Sequence, residues 1–390
     1  MKILYYSPHP QLKSTAPTGY GTHIREMISA LKKRGVEVRT LIAGDLVEDD
    51  YGEQKKSRFS WSKAILPRIV WESLRDFQLM KFDKSLESRL QKIVHDFEPD
   101  MIYERVAYLQ NSGINVAQNK GVKHIAEINA PFPEERQSFS GKSFFIKQAE
   151  HCERQILVQS DLISVVSSEL RNQFRAKVSI PDSKIRVIPN CVNPNDITHT
   201  AHDVEEILDD YKLRGCRVIG FVGSIFPYHG VDLLIEAFAG LDENPDLRLL
   251  IVGDGSTLPE LKSLAKRLGV LNRCIFTGSV PHRRVYAFME VMDICCMARS
   301  NSYGSPVKIF EYGLLKKPVV APDTVPVRDV MIHGEDAILV EPNVQSILDA
   351  LQELLDDHTL ALKMAGSWHE KVLLNHTWDN AAKTLIEACT

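Results

Sequence analysis

The stretch VIGFVGSIFPYHGVDLLIEAFAGL, residues 218–241, contains the structural unit that the rest of the chain repeats. Its apolar run Val218 to Val222 is typical of a buried strand, and a loop bounded by Gly223 and Gly230 follows. The loop leads into Val231 to Leu241, where apolar residues recur at helical spacing. A strand, a glycine-bearing turn and a helix in this order predict a βα unit of a parallel sheet.

The same alternation runs through both halves of the chain and predicts two doubly wound α/β domains. We predict strands at residues 3–6, 37–42, 100–103, 122–128, 162–166 and 185–188, then at 218–222, 247–252, 273–276, 293–297 and 318–321. The first domain is predicted at residues 1–190 and the second at 191–371, with a C-terminal helix at about 372–390 that returns to the first.

Composition narrows the class of protein. The chain has 390 residues, of which 44% are apolar, and a net charge of −4 that gives no general affinity for nucleic acid. Its seven cysteines form no C-x-x-C pair and indicate neither a disulfide framework nor a zinc site. No signal-peptide region and no uncharged run long enough for a bilayer is present, so we expect a cytoplasmic protein.

Residues 305–322, SPVKIFEYGLLKKPVVAP, place a carboxylate inside an apolar helix. Ser305 is a competent N-cap and Pro306 suits the first turn, so the helix should start near Ser305. The N–H groups at that start, with Lys308, are suited to an anion such as a nucleotide diphosphate. Glu311 can accept hydrogen bonds from two ribose hydroxyls. The alternative is a surface ion pair between Lys308 and Glu311.

Three further strand-to-helix loops carry glycines that let backbone N–H groups approach an anion closely. They contain Gly19 and Gly21, Gly223 with Ser224, and Gly253. The G-x-G-x-x-G dinucleotide fingerprint is absent, and a flexible turn is the alternative for each loop. Because ligands of doubly wound sheets bind at the carboxyl ends of strands, we expect these loops to line one cleft.

Polar residues after two strands of the first domain are candidates for acceptor binding. Glu104 and Arg105 follow one strand, and Glu127 and Asn129 follow the next. The alternatives are a solvated Glu104–Arg105 pair and a turn role for Asn129. Among these side chains, Glu127 ranks first. Two further candidates, each with a structural alternative, are His9 and His23.

Residues 53–81 carry seven basic residues against three acidic ones, interleaved with Trp61 and Trp71. Basic residues next to tryptophans can rest on an anionic leaflet. This pattern gives the hypothesis of a peripheral contact on the inner face of the membrane. A solvated helix with a core-facing stripe is the alternative.

In six segments the chain resembles the retaining glycosyltransferases of family 4, which have the GT-B fold of two facing Rossmann-like domains with a cleft between them. The segments are GYGTHIREMISALKKRGVEV (19–38), VIPNCVN (187–193), GFVGSIFPYHGVDLLIEAF (220–238), LRLLIVGDGSTLPELKSLAKRLGV (247–270), IFTGSVPHRRVYAFMEVMDICCMA (275–298) and FEYGLLKKPVVAP (310–322). The resemblance implies an acceptor-binding first domain and a donor-binding second domain.

The resemblance further implies sugar transfer with retention from a nucleotide-diphosphate sugar, by default a UDP-sugar, to a carbohydrate, lipid-linked or small-molecule acceptor. The leaving phosphate would help to deprotonate the acceptor, and no cofactor is expected. Since the chain contains no Asp-x-Asp, we also expect metal independence. The implied catalytic residues are Lys308, His229, Glu127 and Asn129, and the implied donor-binding residues are Gly19, Gly21, Gly223, Ser224, Gly253, Gly278, Val280, Ser305, Pro306, Val307 and Glu311.

The chain departs from the family pattern at three charged positions. Ser224 stands where the family usually has Arg, His229 where it has Lys, and Tyr303 where it has the first Glu of its Glu-x7-Glu element. Lys308 is the best substitute for the missing cations, and His229, Arg299 or Arg283 could help. A subgroup with His-Gly and Ser-Pro-x-Lys-x-x-Glu-Tyr looks similar. A sugar-nucleotide epimerase of the same fold and an inactive nucleotide-sugar-binding paralogue stay open as alternatives.

Overall fold

The computed structural model describes residues 1–16, 18–47, 67–241 and 245–389. The chain divides into two compact units, Met1–Pro189 with Trp378–Thr390, and Asn190–Thr377. The return to the first unit therefore starts at Trp378 rather than near residue 372. The helix that precedes it stays with the second unit because Trp368 is fully buried there and donates a hydrogen bond of 2.7 Å to the Ile309 carbonyl.

The first unit contains, within its described residues, one six-stranded sheet in the order β2-β1-β3-β4-β5-β6 with every pair parallel. Its strands are β1 (Lys2–Ser7), β2 (Glu37–Ile42), β3 (Met101–Arg105), β4 (Lys123–Ile128), β5 (Leu162–Val165) and β6 (Ile185–Val187). Its helices are α1 (Gly19–Lys33), α2 (Arg68–Phe97), α3 (Ser112–Lys120), α4 (Phe132–Ser140), α5 (Ile146–Gln159), α6 (Ser168–Lys177) and the C-terminal α15 (Trp378–Cys389).

The second unit contains a second six-stranded parallel sheet, in the order β12-β11-β10-β7-β8-β9. Its strands are β7 (Arg217–Val222), β8 (Leu247–Val252), β9 (Cys274–Gly278), β10 (Ile294–Cys296), β11 (Val319–Pro322) and β12 (Ile338–Val340). Its helices are α7 (Ala201–Asp210), α8 (Val231–Gly240), α9 (Leu258–Arg267), α10 (His282–Glu290), α11 (Val307–Leu314), α12 (Val325–Arg328), α13 (Val344–Asp356) and α14 (His358–Asn375).

The second sheet is buried on both faces. Leu249 and Ile251 of β8 belong to one hydrophobic cluster, whereas Leu250 and Val252 belong to another. Because successive strand residues point to opposite faces, the two clusters lie on the two sides of the sheet. This explains why the strand is a continuous apolar run rather than an alternating one.

Each sheet has one point where the strand order reverses, between β1 and β3 in the first unit and between β7 and β10 in the second. The loops that follow neighbouring strands diverge there and leave a crevice at the carboxyl ends. In the second unit these are the loop after Val222 and the loop that leads into α11. The candidate residues for an anion therefore lie at the switch point of their sheet.

One strand was not predicted from the sequence, and one loop glycine has a packing role that the sequence did not indicate. Strand β12 has only three residues, and this short run did not stand out as a strand. Gly253 has a φ of +136°, and a Cβ there would lie 2.0 Å from the Gly223 carbonyl oxygen. Gly253 thus allows the loops after β7 and β8 to pack backbone against backbone.

Among the described residues, no helix is long and apolar enough to cross a membrane.

Candidate functional site

Lys308 in the first turn of α11 is a buried cation with no hydrogen-bonded partner. Its Nζ is buried, makes no hydrogen bond to the described residues, and lies 4.1 Å from the centre of the Phe221 ring. A Cβ at Gly223 would approach this Nζ to 3.0 Å, so a glycine there gives the ammonium its space. Burial lowers the pKa of Lys308 to about 7, and the nearby Glu311 opposes this shift.

Glu311 lies one turn further along α11 and is half-buried. Burial raises the pKa of its carboxyl to about 7, against the opposing charge of Lys308. Both side chains are described, and no ion pair joins them within 4.0 Å. The surface ion pair considered from the sequence is therefore not what the structure contains. Instead, two desolvated groups of opposite charge lie next to each other, and neither has a direct partner among the described residues.

The helix α11 starts near Ser305, as predicted, but Ser305 is not its N-cap. The helix begins at Val307 with Pro306 in the N-cap position. The Ser305 hydroxyl accepts a hydrogen bond of 3.1 Å from the Asn190 N–H, and its carbonyl accepts one of 2.6 Å from Asn190 Nδ2. Because these bonds occupy Ser305, it anchors the loop before α11 to the start of the second unit.

His229 lies at the end of the loop after β7 and is not a cation. Its Nδ1 lies 2.5 Å from the Ser224 carbonyl oxygen. Burial and the nearby Lys308 lower the pKa of His229 to about 3, although the Ser224 bond opposes the shift. The side chain is therefore neutral near pH 7 and does not replace the lysine of the family pattern. Two cations remain beside this loop, Lys308 without a hydrogen-bonded partner among the described residues and Arg299, whose guanidinium donates to the Pro227 carbonyl.

The remaining donor-side candidates lie at the same carboxyl-end edge of the second sheet. Ser224 is exposed, and its carbonyl orients His229. The Gly253 N–H donates to the Gly278 carbonyl at 3.0 Å, which joins the loops after β8 and β9. Val280 is half-buried and packs against one of the two hydrophobic clusters. Neither Gly253 nor Val280 has a side-chain group that could bind a nucleotide by hydrogen bonds, so any contribution from them comes from the backbone.

Glu127 forms the centre of a polar cluster in the first unit. The carboxylate is 2% exposed and accepts hydrogen bonds from Arg105, from the Tyr103 hydroxyl at 2.7 Å and from Asn129 Nδ2 at 2.7 Å. His23 Nε2 lies 3.0 Å from the same carboxylate. Among the described residues, no three His, Cys, Asp or Glu side chains cluster as metal ligands would.

The surroundings of Glu127 fit a positioning role better than the predicted catalytic one. Burial alone would raise the pKa of this carboxyl, but His23, Arg105 and Asn129 outweigh burial and hold the pKa well below its usual range. A carboxylate so strongly stabilised in its charged form is a poor proton acceptor. Its partners, Arg105 and Asn129, are the groups that it holds in place.

Glu104 does not take the acceptor-binding role predicted for it. It is fully buried, and its Oε2 lies 2.7 Å from Nε2 of His124, which is also fully buried. Successive residues of a strand point to opposite faces, so Tyr103 and Arg105 of β3 share the face of Glu127 while Glu104 points away from it. The sequence prediction for Arg105 is compatible with this geometry, and that for Glu104 is wrong.

The two histidine candidates of the first unit have different surroundings. His23 of α1 is buried and contacts Trp378 of α15 edge-on, with ring centres 4.6 Å apart. Trp378 was not among the predicted site residues, because its contact with His23 arises only in the folded chain. His9, in the loop after β1, accepts a hydrogen bond of 3.1 Å from the Gln11 N–H. Burial, with a smaller effect from Arg75, lowers the pKa of His9 to about 4.

Gly19 and Gly21 are the first and third residues of α1 rather than parts of a loop before it. A Cβ at Gly21 would lie 2.2 Å from the Ala16 carbonyl oxygen, whereas such an atom at Gly19 has no neighbour within 4 Å in the part of the chain that the structure describes. Gly21 is therefore required for close packing of the preceding loop. The open space at Gly19 leaves the helix N-terminus accessible.

Comparison with known proteins identifies the family. Residues 17–196 match the model described as Glycosyltransferase Family 4, and residues 203–370 match the model described as Glycosyl transferases group 1. HepE of Anabaena, solved with UDP, aligns over 100% of this chain and 99% of its own with a TM-score of 0.74 and 17% identity. The chain belongs to the GT-B glycosyltransferases. Its narrower subgroup remains a prediction.

Curated relatives match over part of their length. The chain is 25% identical to alpha-D-kanosaminyltransferase of Streptomyces kanamyceticus over 56% of this chain and 57% of that protein. It is 26% identical to a GDP-mannose-dependent alpha-(1-6)-phosphatidylinositol monomannoside mannosyltransferase of Mycobacterium tuberculosis over 58% of this chain and 61% of that protein. The matched part therefore spans about three fifths of these relatives.

The Glu127 cluster predicts a large effect of losing one charge. Arg105→Met leaves a buried carboxylate short of its cation and should cost about 3–5 kcal/mol of unfolding free energy. The Arg105→Met/Glu127→Gln double variant should recover part of this loss. Urea denaturation measures both. As a control, Arg175→Met removes an exposed ion pair with Asp182 and should cost at most about 1 kcal/mol. Equal costs for the two single variants would contradict the interpretation.

Proposed function

We propose that the chain transfers a sugar, with retention at the anomeric carbon, from a nucleotide-diphosphate sugar to a hydroxyl of an acceptor. The observation that carries the proposal is the buried ammonium of Lys308 at the switch point of the second sheet, which has no hydrogen-bonded partner among the described residues. Burying an unpaired charge is costly, and a diphosphate would offset that cost. Glu311 in the next turn offers the acceptor oxygens for a ribose.

We propose UDP as the nucleotide and metal-independent chemistry. HepE, a structural neighbour, was solved with UDP, whereas a curated relative is named as GDP-mannose-dependent, so guanosine is the competing base. The donor diphosphate would be neutralised by Lys308 and the N–H groups at the start of α11. The chain offers no Asp-x-Asp that would bring a metal to the phosphates.

In this mechanism, the residues of the second unit bind the donor and those of the first bind the acceptor. The leaving diphosphate takes up the proton of the attacking hydroxyl on the same face of the sugar, so no protein base is needed. This agrees with the lowered pKa of Glu127, which is unsuited to act as a base. An epimerase would need acid and base groups at the sugar, which is why we favour transfer. The acceptor is a carbohydrate, a lipid-linked molecule or a small molecule.

The test is a panel of UDP- and GDP-sugars, measured first by thermal stabilisation and then by transfer with acceptor mixtures. We expect stabilisation by UDP-sugars, product of retained anomeric configuration by NMR, and undiminished turnover in EDTA. Stabilisation without turnover on any acceptor would favour an inactive binding protein. An inverted product or loss of activity in EDTA would contradict the mechanism.

Lys308 gives the proposal a pH signature. Its pKa of about 7 means that the ammonium loses its proton as the pH rises through neutrality, while the diphosphate of a nucleotide sugar keeps its charge. The affinity for UDP-glucose should therefore fall with rising pH, by up to about tenfold per pH unit above pH 7. Isothermal titration calorimetry at several pH values measures this slope.

Lys308→Arg is the matched control for the pH signature, because a guanidinium stays charged throughout this range. Its affinity for UDP-glucose should fall less steeply with pH than that of the wild type, because only Glu311, with a carboxyl pKa of about 7, still titrates in this range. Lys308→Met should bind weakly at every pH. The same slope in the wild type and in Lys308→Arg would show that another group causes it.

We also propose that the first unit contacts anionic membranes. Of the sequence stretch 53–81, residues 53–66 lie outside the described residues, and residues 68–81 form the start of α2.

The Phe144 N–H donates to Ser73 Oγ at 2.9 Å and Arg68 donates to the Phe139 carbonyl at 3.3 Å, which brings α2 and residues 139–144 together. We call this the Phe139–Phe144 surface, and its exposed apolar side chains are Leu74, Phe77, Phe139 and Phe144. The exposed basic side chains of the same segments and of the start of α5 are Arg68, Arg75, Lys81, Lys142 and Lys147.

The membrane proposal predicts flotation with vesicles that contain phosphatidylglycerol, and not with pure phosphatidylcholine, at physiological salt. Phe139→Ser/Phe144→Ser should lose most of this binding, since these side chains are 61% and 68% exposed. Leu362→Ser, which changes an exposed apolar residue of α14, is the control and should float as the wild type does. Absence of wild-type flotation would refute the proposal.

A further inference from the structure

Three neighbouring groups of the second unit, Glu311, Lys308 and His229, can each bind a different part of a nucleotide sugar. Lys308 has two titratable neighbours, Glu311 one turn further along α11 and His229 in the loop after β7, and its charge affects both. The Phe221 ring also contacts both Lys308 Nζ, at 4.1 Å, and the His229 ring, at 5.7 Å between ring centres. If Glu311 binds the ribose and Lys308 the diphosphate, the group next to the diphosphate at His229 is the transferred sugar.

The hydrogen bond at Nδ1 fixes which nitrogen of His229 carries the proton. The Ser224 carbonyl can only accept, so Nδ1 must donate to it across the 2.5 Å contact. In the neutral ring, Nε2 is then left with a lone pair. Among the described residues, no hydrogen bond to Nε2 is present. His229 therefore offers one unused hydrogen-bond acceptor beside Lys308.

The aromatic neighbours hold this imidazole in place. Its ring centre lies 4.4 Å from that of Tyr228 and 6.3 Å from that of Phe226, in addition to the contact with Phe221. The loop itself is tied down, since the His229 carbonyl accepts a hydrogen bond of 3.2 Å from the Arg299 N–H. A ring fixed at one nitrogen and packed against three aromatic rings loses little freedom when a ligand binds to the other nitrogen.

A lone pair at Nε2 selects the chemistry of its ligand. Phosphate oxygens are acceptors too, and an acceptor facing an acceptor is unfavourable, so the diphosphate is a poor partner. A hydroxyl is a suitable one, and beyond the diphosphate a nucleotide sugar carries its hydroxyls on the sugar. We propose that Nε2 of His229 accepts a hydrogen bond from a hydroxyl of the transferred sugar, so that His229 determines donor-sugar specificity instead of holding the diphosphate. This inference rests on the proposed function.

The test compares UDP with UDP-glucose, and GDP with GDP-mannose in parallel, by calorimetry on the wild type and on His229→Ala. The variant should bind the nucleoside diphosphate within about twofold of the wild type, but the nucleotide sugar about tenfold more weakly. His229→Gln, whose side-chain carbonyl is also an acceptor, should recover part of the loss. His358→Ala, which changes an exposed histidine of α14, should bind both ligands as the wild type does.

The outcomes separate this inference from the proposed function. If His229→Ala weakens the diphosphate and the nucleotide sugar equally, or neither of them, the sugar role of His229 is refuted while donor binding stands. His229→Lys provides the converse check, because an added cation should strengthen diphosphate binding without restoring sugar discrimination. If the wild type binds none of the four ligands, the proposed function and this inference both fall. Thermal unfolding of each variant shows whether it is folded.

Discussion

Parallel pairing of the strands is the constraint on which both candidate sites depend. It brings the carboxyl ends of all strands in a sheet to one edge, so residues distant in sequence meet there without any further device. In the second unit, Phe221 lies at the end of β7 and His229 in the loop that follows it, whereas Lys308 and Glu311 lie in α11, which follows β10. In the first, the same rule joins Arg105 of β3 to Glu127 of β4.

The two sites treat their buried charges in opposite ways. Glu127 accepts hydrogen bonds from Tyr103, Arg105 and Asn129, and these bonds fix its charge and its geometry. Lys308 has no hydrogen-bonded partner among the described residues, so its charge depends on what binds next to it. A cluster with satisfied hydrogen bonds is a rigid support, whereas an unpaired ammonium is a group prepared for a ligand. This contrast supports assigning positioning to the first unit and anion binding to the second.

Sequence patterns predicted eleven of the twelve described strands to within a few residues, because each is an apolar run with turn residues beside it. The phase of β3 could not be predicted, since all five of its residues are buried and no alternation distinguishes Glu104 from Arg105. The sequence also indicated Lys308, Glu311 and His229 as site residues. Their charge states depend on Phe221, Gly223 and Ser224, whose distances to them are set only in the folded chain.

The position of α15 has a consequence for the order in which the chain is made. This helix packs on α1 of the first unit, where Arg34 forms an ion pair of 2.6 Å with Asp379 and Trp378 contacts His23. The ribosome, however, synthesises all of the second unit before it reaches Trp378. Domains usually fold as they emerge. Here the second unit is continuous and can complete its fold on the nascent chain, while the unit that emerges first must wait for its final helix.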